Sequence, residues 1–264
     1  MTSFDPNPAA RLLGQVWHGS QQIAELPADI RPANIDQGYD VQDRLVELLG
    51  VPVVGWKLGV GSAKLKQQSG VGRSIAGRVL EPRRHEPGAT VRLSFAAPVT
   101  IEFEIAFVLG RDIDHNFTGD PKSAIAETCV TFELVMARFV DRRSVGWPSF
   151  AADDSGFEAL IVGERLDERQ IPELLSSLVV SVDGEEKSRA ATGDDATDPY
   201  GALADLVAIA RERKMILPKG SIISTGSASM PFAVTALKGE VSASYLGKRL
   251  GFSFLSPANL SDGE

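Results

Sequence analysis

The stretch from Val99 to Leu109 constrains this chain more than any other. Val99, Ile101, Phe103, Ile105, Phe107 and Leu109 alternate with Thr100, Glu102, Glu104, Ala106 and Val108. Strict alternation at a period of two is the mark of a β-strand whose two faces meet different surroundings. One face is wholly apolar and packs on a core. The other carries Glu102 and Glu104, then turns apolar at Ala106 and Val108. A face bathed in water along its whole length would stay polar. The two carboxylates are therefore expected to look into a partly enclosed space. Like charges so close, away from bulk water, are costly unless a cation or a shared proton relieves them. A bound divalent metal is the economical relief.

The chain has 264 residues. That suffices for one large domain, or for a helical segment over 1–50 followed by a main domain over 51–264. The net charge is −8, with both signs dispersed. No Lys/Arg cluster offers a footprint for nucleic acid or a membrane surface, and neither partner is expected. Cys129 is the single cysteine. It permits no disulfide within the chain, which fits a reducing compartment. The first residues lack the basic-then-apolar order of an export signal. No apolar run approaches the ~20 residues that span a bilayer. The expectation is a soluble, cytoplasmic protein.

Residues 9–49 carry helical spacing, stopped by Gly50 and Pro52. Strands are expected over 53–60 and 75–80, with a loop or short helix between them. A short helix fits 121–126, and a second apolar segment, 129–140, contains Glu133. Residues 151–163 begin polar and end apolar, as a loop entering a strand does. Asp183-Gly184 between extended runs signals a hairpin. Asp198-Pro199 opens a helix to about Lys214, with Asp as cap and Pro in the first turn. Residues 221–225 form a buried-type strand ending in Gly226-Ser227, and 239–254 two antiparallel strands. Strands do not alternate regularly with helices. The expected class is therefore α+β and β-rich, with helices at the start, rather than a doubly wound parallel sheet.

Three features can carry chemistry together: the Glu102/Glu104 pair, Glu133 among Phe132, Leu134 and Val135, and Lys57 in Gly55-Trp-Lys-Leu-Gly59. On a strand Lys57 shares its face with Gly55 and Gly59, whose small size leaves room for a ligand. Three carboxylates without histidine or thiol suit a hard cation such as Mg²⁺, which keeps positions open for a bidentate 2-oxo acid. Lys57 would contact the acid group or shuttle a proton. Plainer readings stand beside these. A Glu-x-Glu strand is more often an exposed face, a Lys between glycines is usually at the surface, and Glu133 fits the outer side of a helix. Asp153-Asp154-Ser155 fits a simple turn. Thr225-Gly226-Ser227 either ends a strand or binds a carboxylate through backbone N–H groups. Arg138 is either a surface charge or a neutraliser of the acids. Among the scattered histidines, His18 fits a structural role, and His85 is a weak candidate base in a charged loop.

The order Gly-Trp-Lys-Leu-Gly, Ala76-Gly77-Arg78, Glu-Phe-Glu-Ile-Ala-Phe-Val-Leu-Gly, Phe-Glu-Leu-Val, Ala-Asp-Asp-Ser-Gly and Leu-Pro-Lys-Gly-Ser-Ile-Ile-Ser-Thr-Gly-Ser resembles the 2-keto-4-pentenoate hydratase / 2-oxohepta-3-ene-1,7-dioate hydratase family. These are relatives of fumarylacetoacetate hydrolase. The similarity runs from about residue 8 to 256. It implies a mixed, rolled sheet of the fumarylacetoacetase C-terminal-like type. It implies Mg²⁺ or Mn²⁺ on Glu102, Glu104 and Glu133, with Lys57 as the active-site lysine and Asp154 as a second catalytic candidate. Ser62, Arg138, Ser155, Thr225, Gly226 and Ser227 become candidate substrate contacts, and a homo-oligomer is implied. The implied substrate is a small 2-hydroxy-dienoate or 2-oxo-enoate from aromatic ring cleavage. Hydratases ketonise the dienol and add water; close relatives decarboxylate 2-oxo-hexenedioate. An acylpyruvate carbon–carbon hydrolase using His85 and an inactive metal-binding homologue are further alternatives. The chain departs from the family pattern in places. Gly-Trp-Lys replaces Gly-Tyr-Lys, and Asp153-Asp154 replaces Asp-Asn. Leu-Val-Met136-Ala137-Arg138 replaces Leu-Val-Asp-Ser-Arg, Thr197-Asp198-Pro199 replaces Gly-His-Pro, and the late helix lacks its usual Trp. These departures imply a changed substrate or reaction.

Overall fold

The computed structural model describes residues 4–257. Two helices lead, α1 (Asn7–His18) and α2 (Ile35–Leu49). Then come β1 (Val53–Gly59), α3 (Ala63–Ser69), β2 (Ile75–Leu80), β3 (Arg84–His85), β4 (Thr90–Arg92), β5 (Val99–Leu109), β6 (Ile125–Val135), α4 (Gly146–Ala152) and β7 (Phe157–Leu166). The chain continues through α5 (Ile171–Ser177), β8 (Val179–Val182), β9 (Glu185–Arg189), α6 (Pro199–Glu212), β10 (Ile222–Ser227), β11 (Phe232–Val234), β12 (Lys238–Tyr245) and β13 (Lys248–Leu255).

The strands form two sheets. The larger runs β2-β1-β10-β5-β6-β7-β3, with β11 added to the start of β5. It is mixed: β1 pairs β10 and β3 pairs β7 in parallel, and the other pairings are antiparallel. The smaller runs β4-β13-β12-β8-β9. The apolar face of β5 joins them. Phe103 lies opposite Phe132 on β6, and their rings meet edge to face at 5.4 Å. Phe103 also packs on Tyr245 of β12 at 5.3 Å, and Phe132 on Phe252 of β13 at 5.3 Å. Such pairs add to the burial of large apolar area. The opposite face of β5, with the acids, is thereby turned away from the second sheet.

Some expectations hold and others are corrected. The helical stretch expected over 9–49, with its second helix stopped at Gly50, forms as α1 and α2, and Gly19, Pro27 and Pro32 fall in the segment between them. Asn34 caps α2 by accepting from the Gln37 N–H. Residues 129–140 are not one element: β6 starts earlier and ends at Val135. The loop before β7 contains the short helix α4. The hairpin at Asp183-Gly184 forms as expected, both residues having positive φ (51° and 81°). Asp198 caps α6 through the Tyr200 N–H. Among the described residues, no helix is long and apolar enough to cross a membrane.

Gly55 does not make room for a ligand. A Cβ there would lie 2.0 Å from the Ile222 carbonyl oxygen, so glycine is what lets β1 and β10 pair closely. Gly59 is the one with open space, with nothing within 4 Å of a Cβ. Gly55→Ala is therefore expected to destabilise the fold by about 3 kcal/mol or more, since overpacking against backbone has nowhere to relax. Gly59→Ala is expected to stay within about 1 kcal/mol of wild type. Urea unfolding of the two variants checks the contrast.

Candidate metal centre and active site

The pairing of β5 with β6 sets Glu102 directly opposite Glu133, and Glu104 opposite Thr131. All three acids share one face, and one oxygen from each lies within 4.8 Å of the others. Glu104 and Glu133 are fully buried and Glu102 half-buried. Like charges placed opposite each other destabilise a strand pair. Burial first, then the neighbouring Glu133 and Glu102, pushes the Glu104 carboxyl well above its ordinary range. Burial likewise pushes Glu133 up to about 7, against the pull of Lys57.

Lys57 is 2 % exposed and lies 2.8 Å from Glu133 Oε1. The two residues are separated by β10 and β5. Three strand spacings are about 14 Å on a flat sheet, more than these side chains can bridge. The ion pair forms because the mixed sheet curls. The surface lysine and the outward-facing glutamate are both replaced by a buried pair.

The end of β10 completes the cluster. Ser224 pairs with Ala106, but Ser227 pairs with Glu104, so β10 carries one residue more than β5 across this step. That bulge puts Gly226 at φ 99° and turns its N–H onto Glu104 Oε2 at 3.0 Å. Ser224 Oγ donates to the same oxygen and lies 2.7 Å from Thr131 Oγ1. Glu104 Oε1 and Glu133 Oε2 are buried without a protein partner. Three converging carboxylates with unused, inward-held oxygens fit a hard divalent cation. The carboxylate that the Thr-Gly-Ser backbone binds is thus the protein's own. The flanking hydroxyls are also spent at home, Thr225 Oγ1 on the Ile105 carbonyl and Ser227 Oγ on the Ser229 carbonyl, each at 2.7 Å.

A cavity of about 510 Å³ opens over this cluster, within the size range of ligand pockets. Lys57, Glu102, Ser62, Gly226 and Ser227 are on its wall. Ser62 also caps α3, accepting from the Leu65 N–H at 3.2 Å. Trp147 and Phe150 of α4 and the preceding Arg142 and Arg143 line it too. The sequence does not single these four out. Their only signal is two aromatics three apart, after a basic turn, in a segment too short to show periodicity.

Residues 79–247 match the model of the fumarylacetoacetate (FAA) hydrolase C-terminal family. The chain belongs to that family. Within it, this FAA hydrolase-type chain is 26% identical over 242 residues to a 2-keto-4-pentenoate hydratase of Paraburkholderia xenovorans (strain LB400), covering 89% of each. It is 26% identical over 204 residues to a 4-oxalocrotonate decarboxylase of a Pseudomonas species, covering 76% of this chain and 77% of that one. The fold is that of 4-oxalocrotonate decarboxylase from Pseudomonas putida G7, solved with magnesium and adipate, at a TM-score of 0.82 and 22% identity over 97% of this chain and 99% of that one.

The remaining candidates of this FAA hydrolase-type chain lie behind the cavity, off its wall. Arg138 is the clearest correction. Its guanidinium donates to the carbonyls of Met136 (3.0 Å) and Phe157 (2.6 Å) and stacks 3.7 Å over Trp17. Asp153 and Glu158 each lie 3.6 Å from it. It ties α1 to the sheet, is fully buried and is not on the cavity wall, so it is not placed to meet a substrate. Ser155 Oγ donates to the Ala76 carbonyl at 3.0 Å. Asp154 Oδ1 accepts from the Arg78 N–H at 2.6 Å. This is what the Ala76-Gly77-Arg78 motif does: a Cβ on Gly77 would lie 2.5 Å from the Asp154 carbonyl oxygen. Asp154 and Ser155 both sit at positive φ, 50° and 53°, the strained backbone often found beside functional sites. Asp154 Oδ2 is buried without a partner. Burial pushes Asp154 up to about 6, opposed by the Arg78 N–H and by nearby cations that include Lys57. His85 is half-buried on β3 and is not among the residues on the cavity wall.

Two outcomes are expected. Without added metal, Glu104→Gln should melt above wild type, because the amide keeps both hydrogen bonds and removes a buried charge. Mg²⁺ at about a hundred times its Kd should then stabilise wild type by about 2.7 kcal/mol and leave the variant unmoved; differential scanning calorimetry reads both. Asp154 has a folded pKa of about 6 against 3.8 unfolded. Its contribution is fully favourable below 3.8 and is lost as pH rises through 6. At pH 7 burying the ionised form costs up to about 3 kcal/mol. Asp154→Asn should therefore raise stability by about 1–3 kcal/mol at pH 7 and by nothing near pH 4, measured by urea unfolding at both.

Proposed function

We propose that this chain is a metal-dependent lyase acting on a small 2-hydroxy-dienoate or 2-oxo-enoate, in the first place a hydratase of the 2-keto-4-pentenoate type. The observation that carries the proposal is the cluster of Glu102, Glu104 and Glu133 beside buried Lys57 at the base of one cavity. The hydratase and decarboxylase names of its relatives support the same chemistry. Mg²⁺ is the proposed metal, matching the oxygen-only donor set and the magnesium of the solved decarboxylase.

When bound, the cation supplies Lewis-acid polarisation of a 2-oxo or 2-hydroxy group and charge compensation for an enolate. The protein's own residues do the rest. Lys57 puts a positive charge and a proton donor on the wall, where it meets the acid group or the reacting carbon. Trp147 and Phe150 give the unsaturated chain an apolar surface that excludes bulk water. Asp154 contributes its charge from behind Lys57. Decarboxylation of a 2-oxo dioate is the second reading, favoured by the similarity to 4-oxalocrotonate decarboxylases. Hydrolysis of a carbon–carbon bond is disfavoured, because its candidate base His85 is not on the cavity wall.

Loss of the dienol absorbance of 2-hydroxypenta-2,4-dienoate, with Mg²⁺ and after chelation, tests the proposal. Turnover should require the metal. Lys57→Met and Glu104→Gln, shown folded by circular dichroism, should each lower kcat/KM by about 100-fold or more. Equal rates in chelator, or in both variants, would overturn it.

A further inference from the structure

The charges around the cavity do not cancel. Lys57 is matched by Glu133 at 2.8 Å, and Lys64 at the rim by Asp195 at 2.9 Å. Glu102 and Glu104 are matched by the divalent cation they would hold. Arg142 and Arg143, both on the cavity wall, have no such match: neither forms an ion pair with a described carboxylate. The nearest acid in sequence, Asp141, accepts the backbone N–H of Arg143 at 2.9 Å. Ser144 closes the same turn through the Asp141 carbonyl. The turn therefore fixes the backbone while leaving both guanidinium groups unspent.

The burial gradient orders the cavity. Lys57 is almost wholly buried, Arg142 is half-buried and Arg143 is exposed. Phe150 touches both ends, with Lys57 Nζ and the Arg142 guanidinium each 5.9 Å from its ring centroid. The two cations are thus at most about 12 Å apart. Charge-assisted hydrogen bonds of about 2.8 Å at each end leave at most roughly 6 Å between two bound carboxylates. A linear acid of up to about six carbons, with a carboxylate at each terminus, fits within that limit. Its middle would rest on Phe150 and Trp147. A planar guanidinium is the side chain best shaped to take a carboxylate in bidentate fashion.

We propose that Arg142 and Arg143 are the specificity-determining residues of this cavity, reading a second carboxylate at the far end of the substrate. The preferred substrate is then an unsaturated 2-oxo or 2-hydroxy dioate rather than a monocarboxylate. This rests on the lyase reading above and fixes the tail that the metal centre leaves open.

The test compares 2-hydroxyhexa-2,4-dienedioate with 2-hydroxypenta-2,4-dienoate on the Mg²⁺-loaded full chain. Wild type should favour the dioate in kcat/KM by tenfold or more, with a KM that rises with salt. R142Q/R143Q should cut that ratio at least tenfold, through KM rather than kcat, and flatten the salt dependence. R142K/R143K should restore part of the ratio. A wild-type preference for the monoacid, or a ratio unchanged in R142Q/R143Q, would overturn the assignment. If wild type turns over neither compound, the lyase reading fails, and calorimetric binding of hexanedioate against hexanoate decides the arginine assignment separately. Tighter hexanedioate binding that disappears in R142Q/R143Q upholds it, and equal binding of the two acids refutes it.

Discussion

Three carboxylates held within 4.8 Å of one another, two of them fully buried, are the constraint around which the rest of this molecule is arranged. The register of β5 on β6 makes Glu102 face Glu133, and no shift by one residue is open to it. Such a slip would send the acids into the Phe103–Phe132–Tyr245–Phe252 layer and the aromatics into the cavity. The apolar face therefore sets the position of the acids. The energy of burying that face holds together a cluster that would otherwise repel itself. This is the usual division between a stable scaffold and a locally unfavourable site.

The neighbouring strands are shaped to the same cluster. Curling carries Lys57 over β10 and β5 to Glu133, and Gly55 permits the close β1–β10 pairing beside it. The bulge in β10 occupies one oxygen of Glu104 with Ser224 and Gly226 and leaves the other free. A carboxylate with one oxygen pinned has a fixed direction for the second. Hydrogen bonds of this kind would orient Glu104 toward a cation. Thr225 and Ser227 support the bulge by bonding backbone carbonyls, so the Thr-Gly-Ser motif is spent on Glu104 and on the fold itself.

Much of this was legible in the sequence, for a physical reason. A strand with one buried and one half-polar face must alternate, so β5 and its acids declare themselves. The Asp183-Gly184 turn and the Asp198-Pro199 helix start follow local backbone chemistry and were equally plain. What stayed hidden depends on neighbours distant in the chain. Gly55 looked like space for a ligand, because its real contact, the Ile222 carbonyl, is more than a hundred residues away in sequence. Arg138 looked available because its carbonyl acceptors and Trp17 come from separate segments. Arg142, Arg143, Trp147 and Phe150 lie in a turn and a seven-residue helix, too short for any periodic signal.

The departures from the family pattern take on a common meaning once they are placed in space. The pattern's Asp is lost at Met136 and an acid is gained at Asp154, where an amide is usual. These positions belong to adjoining backbone: the Met136 N–H donates to the Gly156 carbonyl at 2.8 Å. Arg138 lies against both segments, donating to the Met136 carbonyl while its backbone N–H meets Asp153. Asp153 and Glu158 each lie 3.6 Å from Arg138, and Glu133 lies 2.8 Å from Lys57. Stripping a buried cation of its partner costs several kcal/mol. Neither change does so, because the partners of both cations stand at other positions. The ion pair at Glu133 is left in place. The residues free to change what the cavity accepts are those on its open side, where no buried partner is left stranded by substitution.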